Sequence, residues 1–389
     1  MEQNKRNRII ISFLGFLAFV ALFSLLSVRL WGGKPEKIPV PQELKFQEEM
    51  TVMEFGQANG LPNQLLKEVF GLVSKEDLQK KVKEFGISQQ EMFSKVKKAS
   101  ALEAEHESKD WLKIGIKFLV WIIFLGFVFS LMRKGKISSK LRKRLLLSGV
   151  IIFGIILGSD PSPMGTIKDA IAMLGKSGVI FPPRMIALGI FLLMVFVANK
   201  FICTWGCQFG TFQDFIFRLN RDPKDAKGVM KQYKPSFAFS NAVRVVFLAL
   251  FTLIAFAWAT DIVEFFDPFK TFVPSKLGVA GIVFVGALSI ASLFVYRPWC
   301  HFFCPFGLAG WIVEKISLYK INVNYETCIA CEACNKACPS TVMGAILKQE
   351  RVIPDCFSCG TCIGTCPTDS ISFQSGRRNK PPEGKFKKA

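Results

Sequence analysis

The chain has 389 residues, half of them hydrophobic, and a formal net charge of +20. A mean hydropathy of +0.33 excludes an ordinary soluble domain and indicates a membrane protein with soluble parts. The positive charge alone would also suit a nucleic-acid partner. However, the Lys and Arg residues lie in short blocks beside apolar runs, as they do in cytoplasmic membrane loops. We therefore expect a membrane and no nucleic acid.

The first apolar run is long enough to cross a bilayer. Residues 9–28 are uncharged for twenty positions and follow Lys5, Arg6 and Arg8. A cleaved signal peptide has a shorter apolar core and a small-residue cleavage site, so this run favours an uncleaved anchor with its N-terminus inside. Residues 1–31 are predicted to be this N-terminal transmembrane anchor.

Residues 32–110 change to a soluble, mixed-charge composition. Pro35, Pro39 and Pro41 indicate an extended linker, and two similar helical units with predicted turns at Gly56 and Gly86 follow. We predict an exocytoplasmic helical module here. A docking module for an outside partner and a spacer that packs on itself are both consistent with this pattern.

Five further apolar segments follow, and several hold only about fifteen uncharged residues, fewer than the usual twenty. We expect snorkelling of the basic side chains at their ends, Lys113, Lys117, Arg184 and Arg244, to supply the missing length. With the anchor, the prediction is about six transmembrane helices. The five further segments are residues 118–132, 145–159, 185–199, 245–260 and 277–296.

Basic residues are concentrated in alternate loops. Residues 133–144 and 200–234 each carry seven Lys or Arg, whereas residues 159–184 and 261–276 carry three and two. The positive-inside rule therefore places the rich loops and both termini in the cytoplasm, and residues 32–110 outside. We predict a membrane domain over residues 111–320 of a multi-pass protein of the cytoplasmic (inner) membrane.

Within this domain, two helix pairs repeat. The first pair ends in Cys203-x3-Cys207 and the second in Cys300-x3-Cys304-Pro305, 97 residues later, and Lys200 and Arg297 precede them at equivalent positions. Parallel repeats related by an axis along the membrane normal bring equivalent ends together. The four thiols are therefore predicted to meet at the cytoplasmic face. A further metal or redox site, with Lys200 and Arg297 stabilising thiolate charge, and buried inert thiols are the two alternatives.

The other eight cysteines form two copies of one spacing. Cys-x2-Cys-x2-Cys-x3-Cys-Pro occurs at residues 328–339 and again at 356–367. Three cysteines at this spacing hold one [4Fe–4S] cluster, and the fourth ligates the other cluster. Zinc ribbons and disulfide frameworks do not repeat this spacing, so both are disfavoured. The predicted ligands are Cys328, Cys331, Cys334 and Cys366 for cluster 1, and Cys356, Cys359, Cys362 and Cys338 for cluster 2.

These motifs predict a C-terminal α+β ferredoxin-like domain with two [4Fe–4S] clusters over residues 321–375, followed by a basic tail over 376–389. All twelve cysteines belong to regular motifs, so no secreted disulfides are expected. The only histidines are His106 and His301, and no C-x-x-C-H motif occurs, so haem is not expected. The fold class is thus an α-helical integral membrane protein with an internal two-helix repeat, an exocytoplasmic helical domain and this ferredoxin domain.

Taken together, residues 145–373 resemble the membrane-bound ferredoxin-type proteins of the NapH and NosR kind. The cluster motifs and Cys300-x3-Cys304-Pro305 match that family fully, whereas Cys203-x3-Cys207 is followed by Gln208 instead of proline. The resemblance implies electron transfer between membrane quinol and a redox protein partner, by an electron-transfer subunit resembling a quinol dehydrogenase. The NosR branch carries a covalent flavin on a S/T-G-A-T motif. Residues 32–110 contain none, so covalent FMN is not expected.

Two further interpretations stay open. The same arrangement of cysteine motifs would also fit an assembly or maturation factor for a respiratory enzyme, or a redox-sensing regulator. For the outer-loop acids, exchange of quinol protons and simple solvated charge are the alternatives. These acids are Asp160, Asp169, Asp261, Glu264 and Asp267.

Overall fold

The computed structural model describes residues 2–31, 44–47 and 49–386, so the predicted linker prolines Pro35, Pro39 and Pro41 lie outside the described residues. Helices dominate these ranges. The N-terminal half contains α1 (Glu2–Leu30), α2 (Val52–Asn59), α3 (Asn63–Phe70), α4 (Gln89–Glu107), α5 (Trp111–Arg133), α6 (Ser139–Gly149), α7 (Pro163–Ser177) and α8 (Pro182–Ala198). The remainder contains α9 (Phe201–Trp205), α10 (Gln208–Leu219), α11 (Phe237–Trp258), α12 (Val279–Phe294), α13 (Pro298–Phe302), α14 (Pro305–Glu314), β1 (Tyr319–Val323), α15 (Ala333–Ala337), α16 (Val342–Lys348), α17 (Thr361–Thr365) and β2 (Ile371–Ser375).

Among the described residues, three helices are long and apolar enough to cross a membrane: α1, α5 and α11. Each buries a narrow stripe and leaves large apolar side chains outside. On α5, for example, Trp121 and Val128 are fully buried, whereas Ile122 is 64% exposed. Such broad exposed apolar faces are unfavourable in water and are satisfied by lipid, which supports membrane insertion.

The predicted count of six spans is only partly reproduced. Helices α8 and α12 are apolar but shorter than the three candidates. The predicted span at residues 145–159 coincides with the end of α6 and a π-helical continuation at Val150–Ile156, which is not among the candidate spans. The six-span count therefore stays a prediction.

The expected snorkelling of two basic residues is wrong. Lys117 is fully buried and donates to the carbonyl of Gly158 over 2.7 Å, and Arg244 is fully buried and contacts Asp355 at 3.1 Å. The physical reason is that internal acceptors are within reach of both side chains. Burial therefore costs less than an unpaired charge would.

Helices α2–α4 form a small module with its own core around Phe55, Leu66 and Met92. Thr51 begins α2 with a capping box: its hydroxyl accepts from the amide of Glu54, whose carboxylate accepts from the amide of Thr51. The turn predicted at Gly56 is wrong, because Gly56 lies inside α2 and the chain turns at Gly60 with φ 63°. The turn predicted at Gly86 is present, with φ 62°.

The two segments with C-x3-C motifs have matching local structure. Helices α12, α13 and α14 each begin 97 positions after α8, α9 and α10, respectively. Their hydrogen bonds match as well: the amide of Cys207 donates to Ile202 over 2.7 Å, and that of Cys304 donates to Trp299 over 3.0 Å. Each motif is therefore a one-turn helix, a sharp turn at the second cysteine and a new helix.

Beyond α14, strands β1 and β2 pair antiparallel, with Tyr319 opposite Ser375 and Val323 opposite Ile371. This pairing holds the two ends of the cysteine-rich segment together. Phe373 of β2 packs against Phe129 of α5 and Phe201 of α9, with ring centroids 5.6 and 6.2 Å apart. The C-terminal part therefore rests directly on the ends of the membrane helices.

Candidate functional site

The two cysteine-rich turns owe their shape to left-handed backbone at equivalent positions. In the first turn, Ala330 and Glu332 have φ values of 55° and 53°; in the second, Ser358 and Gly360 have φ values of 49° and 72°. Left-handed conformations are unfavourable for non-glycine residues and persist where the surroundings require them. Alternating them around the central cysteine curls each turn, so that its first three thiols point to one side.

Each turn continues into a short helix that ends at its fourth cysteine. Helix α15 ends before Cys338, and α17 ends before Cys366, both of which have extended backbone followed by proline. This geometry directs the fourth thiol away from its own turn. As a result, the fourth cysteine of each motif lies beside the other motif.

Two cavities lie beside these turns, and each is lined by four thiols. One, of about 340 Å³, is lined by Cys328, Cys331, Cys334 and Cys366. The other, of about 390 Å³, is lined by Cys338, Cys356, Cys359 and Cys362. The structure thus brings together the two sets that the motif spacing predicts, and the ligand assignment itself stays a prediction.

The donor set suits a cluster better than a single ion. In the part of the chain that the structure describes, no three His, Cys, Asp or Glu side chains converge closely enough to hold one metal ion. Four thiols around a cavity match the wider spacing of a four-iron cluster. Hydroxyl and amide groups also contact the sulfurs; for example, the amide of Ser370 donates to Sγ of Cys366 over 3.3 Å.

Around the second cavity, buried cations outnumber buried carboxylates. Three carboxylates hold all of them: Asp355 contacts Lys200 and Arg244, Asp214 contacts Arg218 and Arg297, and Asp225 contacts Arg142, Arg218 and Arg221. Six cations thus share three carboxylates. Among the described residues, Nη2 of Arg218 and Nε of Arg244 and Arg297 have no hydrogen-bond partner. Because unpaired buried charge is costly, this excess fits an anionic thiolate-bound cofactor.

The four thiols of the C-x3-C motifs are also gathered. Cys203, Cys207, Cys300 and Cys304 are all buried, and Nη1 of Arg297, three residues before Cys300, donates to the carbonyl of Cys203. Cys207 and Cys304 are the N-caps of α10 and α14, where the helix dipole favours a thiolate. The predicted juxtaposition of the motifs is therefore present in the structure, and a bound metal there stays a prediction.

The basic residues that precede these motifs also bind the backbone, and their predicted role in stabilising thiolate charge stays a prediction. Lys200 donates to the carbonyl of Gly307 over 2.6 Å, and Arg297 donates to the carbonyl of Cys203 over 2.7 Å. Each side chain thus crosses to the other motif and binds its backbone. These reciprocal contacts hold the two motifs against each other.

The C-x3-C helices lie directly against the second cysteine turn. The hydroxyl of Thr204 donates to the carbonyl of Phe357, and Nε1 of Trp205 donates to the carbonyl of Ser358 over 3.3 Å. From α6, Nε of Arg142 donates to the carbonyl of Cys359 over 2.8 Å. Hydrogen bonds from side chains of α6 and α9 therefore join the C-x3-C segment to the turn that lines the cavity of Cys356 and Cys359. His301 is buried nearby, with Nδ1 3.2 Å from the carbonyl of Arg297.

The outer-loop acids are not simple solvated charges. Nζ of Lys168 lies within 3.4 Å of Asp169, Asp261, Glu264 and Asp267. Burial raises the pKa of Asp267 to about 6, although Lys168 acts against this. Burial alone would also raise the pKa of Asp169, but Lys168 and Arg184 outweigh it and hold that pKa below its usual range.

Sequence reasoning missed the buried carboxylates Asp214, Asp225 and Asp355. Two of them carry a local signal, because Asp214 and Arg218, and likewise Arg221 and Asp225, are four residues apart, the spacing of side-chain pairs on a helix. Asp355, directly before Cys356, has no such signal. Its partners Lys200 and Arg244 are more than a hundred residues away in the chain.

The comparisons with known proteins agree with this geometry. Residues 320–367 match the family described as a 4Fe-4S dicluster domain. Residues 180–224 and 277–324 each match the family described as a 4Fe-4S binding domain. No solved structure matches the chain significantly.

Several curated proteins are similar in sequence. The putative electron transport protein YccM of Escherichia coli is 30% identical over 53% of this chain, and the match spans 60% of that relative. The ferredoxin-type protein NapH of Haemophilus influenzae is 24% identical over 67% of this chain and 83% of its own length. The regulatory protein NosR of Pseudomonas aeruginosa is 27% identical over 44% of this chain and 25% of its own length. With the motifs, these relatives show that the chain is similar to the NapH/NosR-like membrane ferredoxin-type iron–sulfur proteins.

Proposed function

We propose that this protein passes electrons between membrane quinol and a redox protein partner, as a membrane component resembling a quinol dehydrogenase. The observation that carries the proposal is the direct contact between the C-x3-C helices and the turn of Cys356 and Cys359, made by Thr204, Trp205 and Arg142. An electron-transfer protein needs such a rigid, dry connection between its redox sites. A chain that used its cysteines only for structure would not need it.

The ligands of two [4Fe–4S] clusters are proposed to be the four thiols of each cavity. When bound, these clusters accept and release one electron each with little rearrangement of their ligands. The chain supplies the left-handed turns, the hydroxyl and amide donors to sulfur, and the buried cations. Those cations favour an anionic site and so favour its reduced form.

The two cavities differ in exposure, which suggests the order in which electrons pass through the two proposed clusters. Cys356 and Cys362 are buried against the membrane helices, whereas Cys331 is exposed and Ile329 beside it is 64% exposed. The cavity of Cys356 is therefore the inner one. The partner protein is proposed to dock on the surface around Ile329 and Cys331.

A further cysteine-ligated centre is proposed at Cys203, Cys207, Cys300 and Cys304. Its support is the burial of the four thiols, the contact of Arg297 with the backbone of Cys203, and the two N-cap positions. The matching helix starts and the double family match support an internal repeat over residues 180–224 and 277–324.

The predicted topology is also part of the proposal. Six spans, with the cysteine-rich domain inside and residues 32–110 outside, follow from the basic loops. The domain boundaries, at residues 1–31, 32–110, 111–320, 321–375 and 376–389, are proposed with it. Reporter fusions at Lys75 and at the C-terminus test the arrangement, and reports from the same side would contradict it.

Reduction of the anaerobically purified protein by a short-chain quinol tests the electron-transfer function. We expect about eight irons per chain from the two ferredoxin motifs and an iron–sulfur absorbance that quinol bleaches. Wild type that dithionite reduces but no quinol reduces would contradict the quinol role. Zinc in place of iron would contradict the clusters.

Single Cys→Ser variants at the C-x3-C motifs test the further centre. Each leaves three thiols, so we expect equal loss of quinol-driven reduction while the iron of the ferredoxin motifs is retained. Cys356→Ser is the matched control, because it removes a ligand of a ferredoxin motif and should lower the iron content. Near-normal quinol oxidation in all four variants would refute the shared site.

A further inference from the structure

A cavity of about 510 Å³ lies outside the two cysteine-lined cavities, near the starts of two membrane helices. It is enclosed by the start of α5, by α7 and by the start of α8. Its lining includes Trp111, Phe118, Asp160, Asp169, Phe181 and Arg184.

The walls of this cavity combine flat aromatic surface with two carboxylates. The rings of Trp111 and Phe181 are 6.2 Å apart, and Phe118 forms the deeper wall. On the polar side, Asp169 lies 3.3 Å from Arg184, and Asp160 lies 3.7 Å from Lys109. Both carboxylates are about one-third exposed, at 29% and 31%. A planar apolar ring with hydroxyl groups matches such a surface.

The deeper wall is continuous with one C-x3-C motif. Phe118 packs against Trp121 with ring centroids 5.3 Å apart, and Nε1 of Trp121 donates to the carbonyl of Gly206 over 3.0 Å. Gly206 directly precedes Cys207. A ligand in the cavity is therefore separated from the thiols by a packed aromatic pair and one peptide unit.

We propose that this cavity binds the quinol head group, with its ring against Trp111, Phe118 and Phe181 and its two hydroxyls hydrogen-bonded to Asp160 and Asp169. The assignment rests on the function proposed above. Oxidation breaks both O–H bonds and converts the two C–OH groups to C=O. The two electrons leave singly for one-electron oxidants of the iron–sulfur class. The two protons go to Asp160 and Asp169 and then to water, because both carboxylates are partly exposed.

Photolabelling of the full-length, cluster-loaded protein with an azido-naphthoquinone tests binding without relying on electron transfer. We expect label on peptides that contain Trp111 or Phe181, with competition by menadione. Ala187→Phe fills the cavity from α8 and should lower labelling about tenfold, the cost of overpacking a site. Ile186→Phe is the matched control, because Ile186 lies on the exposed side of the same helix. Label elsewhere, or equal labelling of both variants, would overturn the site.

Reduction by menadiol tests the carboxylate role. We expect Asp169→Asn to slow menadiol-driven bleaching about a hundredfold, as for loss of a general base, with dithionite reduction unchanged. Glu264→Gln is the control, since Glu264 contacts the same Lys168 but does not line the cavity. An Asp169→Asn rate equal to wild type would overturn the role of Asp169. If menadiol does not reduce the wild type at all, the proposed function fails, and the photolabel alone then decides whether the cavity binds quinone.

Discussion

At the cysteine-bearing ends of the membrane helices, six buried cations share three carboxylates, whereas at the opposite ends Lys168 alone contacts four carboxylates. Helix α8 joins the two regions: Arg184 near its start contacts Asp169, and Lys200 just beyond its end contacts Asp355. The same membrane domain thus has buried cations that share few carboxylates at one end, and one buried lysine among four carboxylates at the other. Arg184 and Lys270 also contact two of those four carboxylates, Asp169 and Glu264.

These imbalances suit different chemistry. Excess buried cations favour binding of negative charge, such as thiolate-bound clusters and the electrons they accept. Excess carboxylates favour binding of protons, because each added proton relieves repulsion. Electron acceptance at one end and proton acceptance at the other are the two halves of quinol oxidation. The stability of variants at the cation-rich end should therefore respond to cluster loading, and that of variants at the acid-rich end should respond to pH.

The largest effect is expected from Asp225→Asn at the cation-rich end. Asp225 is the shared partner of Arg142, Arg218 and Arg221, so its neutralisation leaves three buried cations underpaired. We expect a loss of about 4 kcal/mol in the free energy of unfolding, measured as a lower thermal midpoint in detergent, with part of the loss recovered on cluster loading.

Asp222→Asn is the matched control for that experiment. Asp222 accepts from the amide of Ala226 over 2.8 Å, and asparagine can accept the same bond. Equal stability of the two variants would show that the buried cations do not depend on Asp225.

A somewhat smaller loss is expected from Lys168→Met at the acid-rich end. The substitution removes the positive charge shared by Asp169, Asp261, Glu264 and Asp267. We expect about 3 kcal/mol of destabilisation at pH 7. The deficit should shrink as the pH falls, because protonation of the acids relieves their repulsion. A deficit independent of pH would contradict this account and indicate a packing defect.

The sequence predicted the members of both ferredoxin cavities because the spacing of local turns determines them. Cys338 and Cys366 each line the cavity of the other motif. This exchange follows from the three-residue gap before each of these cysteines and the proline after it, which are local features of the sequence as well. The cytoplasmic side of the basic loops stays a prediction. Individual residues of these loops were not foreseen as buried; Arg142, for example, is 2% exposed.

The buried ion pairs were beyond sequence reasoning for a physical reason. Arg142 meets Asp225 across 83 positions, and Lys200 meets Asp355 across 155. Such pairs depend on how the helices pack, and no local sequence pattern predicts that packing. The outer cavity was missed likewise, since Trp111, Asp160 and Phe181 come from separate segments. The sequence singled out the acids of this region, for which proton exchange and solvated charge were the two alternatives.

Gly210→Ala should cost less and tests how tightly the cation-rich end is packed. A Cβ at Gly210 would lie 2.3 Å from the carbonyl oxygen of Cys203, next to the guanidinium of Arg297. We expect about 2 kcal/mol of destabilisation from this overpacking, seen as a lower thermal midpoint. Gly189→Ala is the control, because a Cβ there meets nothing within 4 Å. Equal midpoints would show that α9 and α10 separate easily.

The smallest effect, with the opposite sign, is expected from Asp267→Asn. Burial raises the pKa of Asp267 from 3.8 to about 6, so the folded protein disfavours the ionised form. Stability from this residue is fully present below its unfolded pKa of 3.8 and is lost as the pH rises through 6. Asparagine keeps the acceptor for the amide of Phe269 but cannot ionise. We therefore expect the variant to match wild type near pH 4 and to be more stable than wild type above pH 7, measured by unfolding across this range. Asp261→Asn, which removes another carboxylate in contact with Lys168, is the control. An equal gain in both variants would attribute the effect to general relief of repulsion around Lys168 instead of to the burial of Asp267.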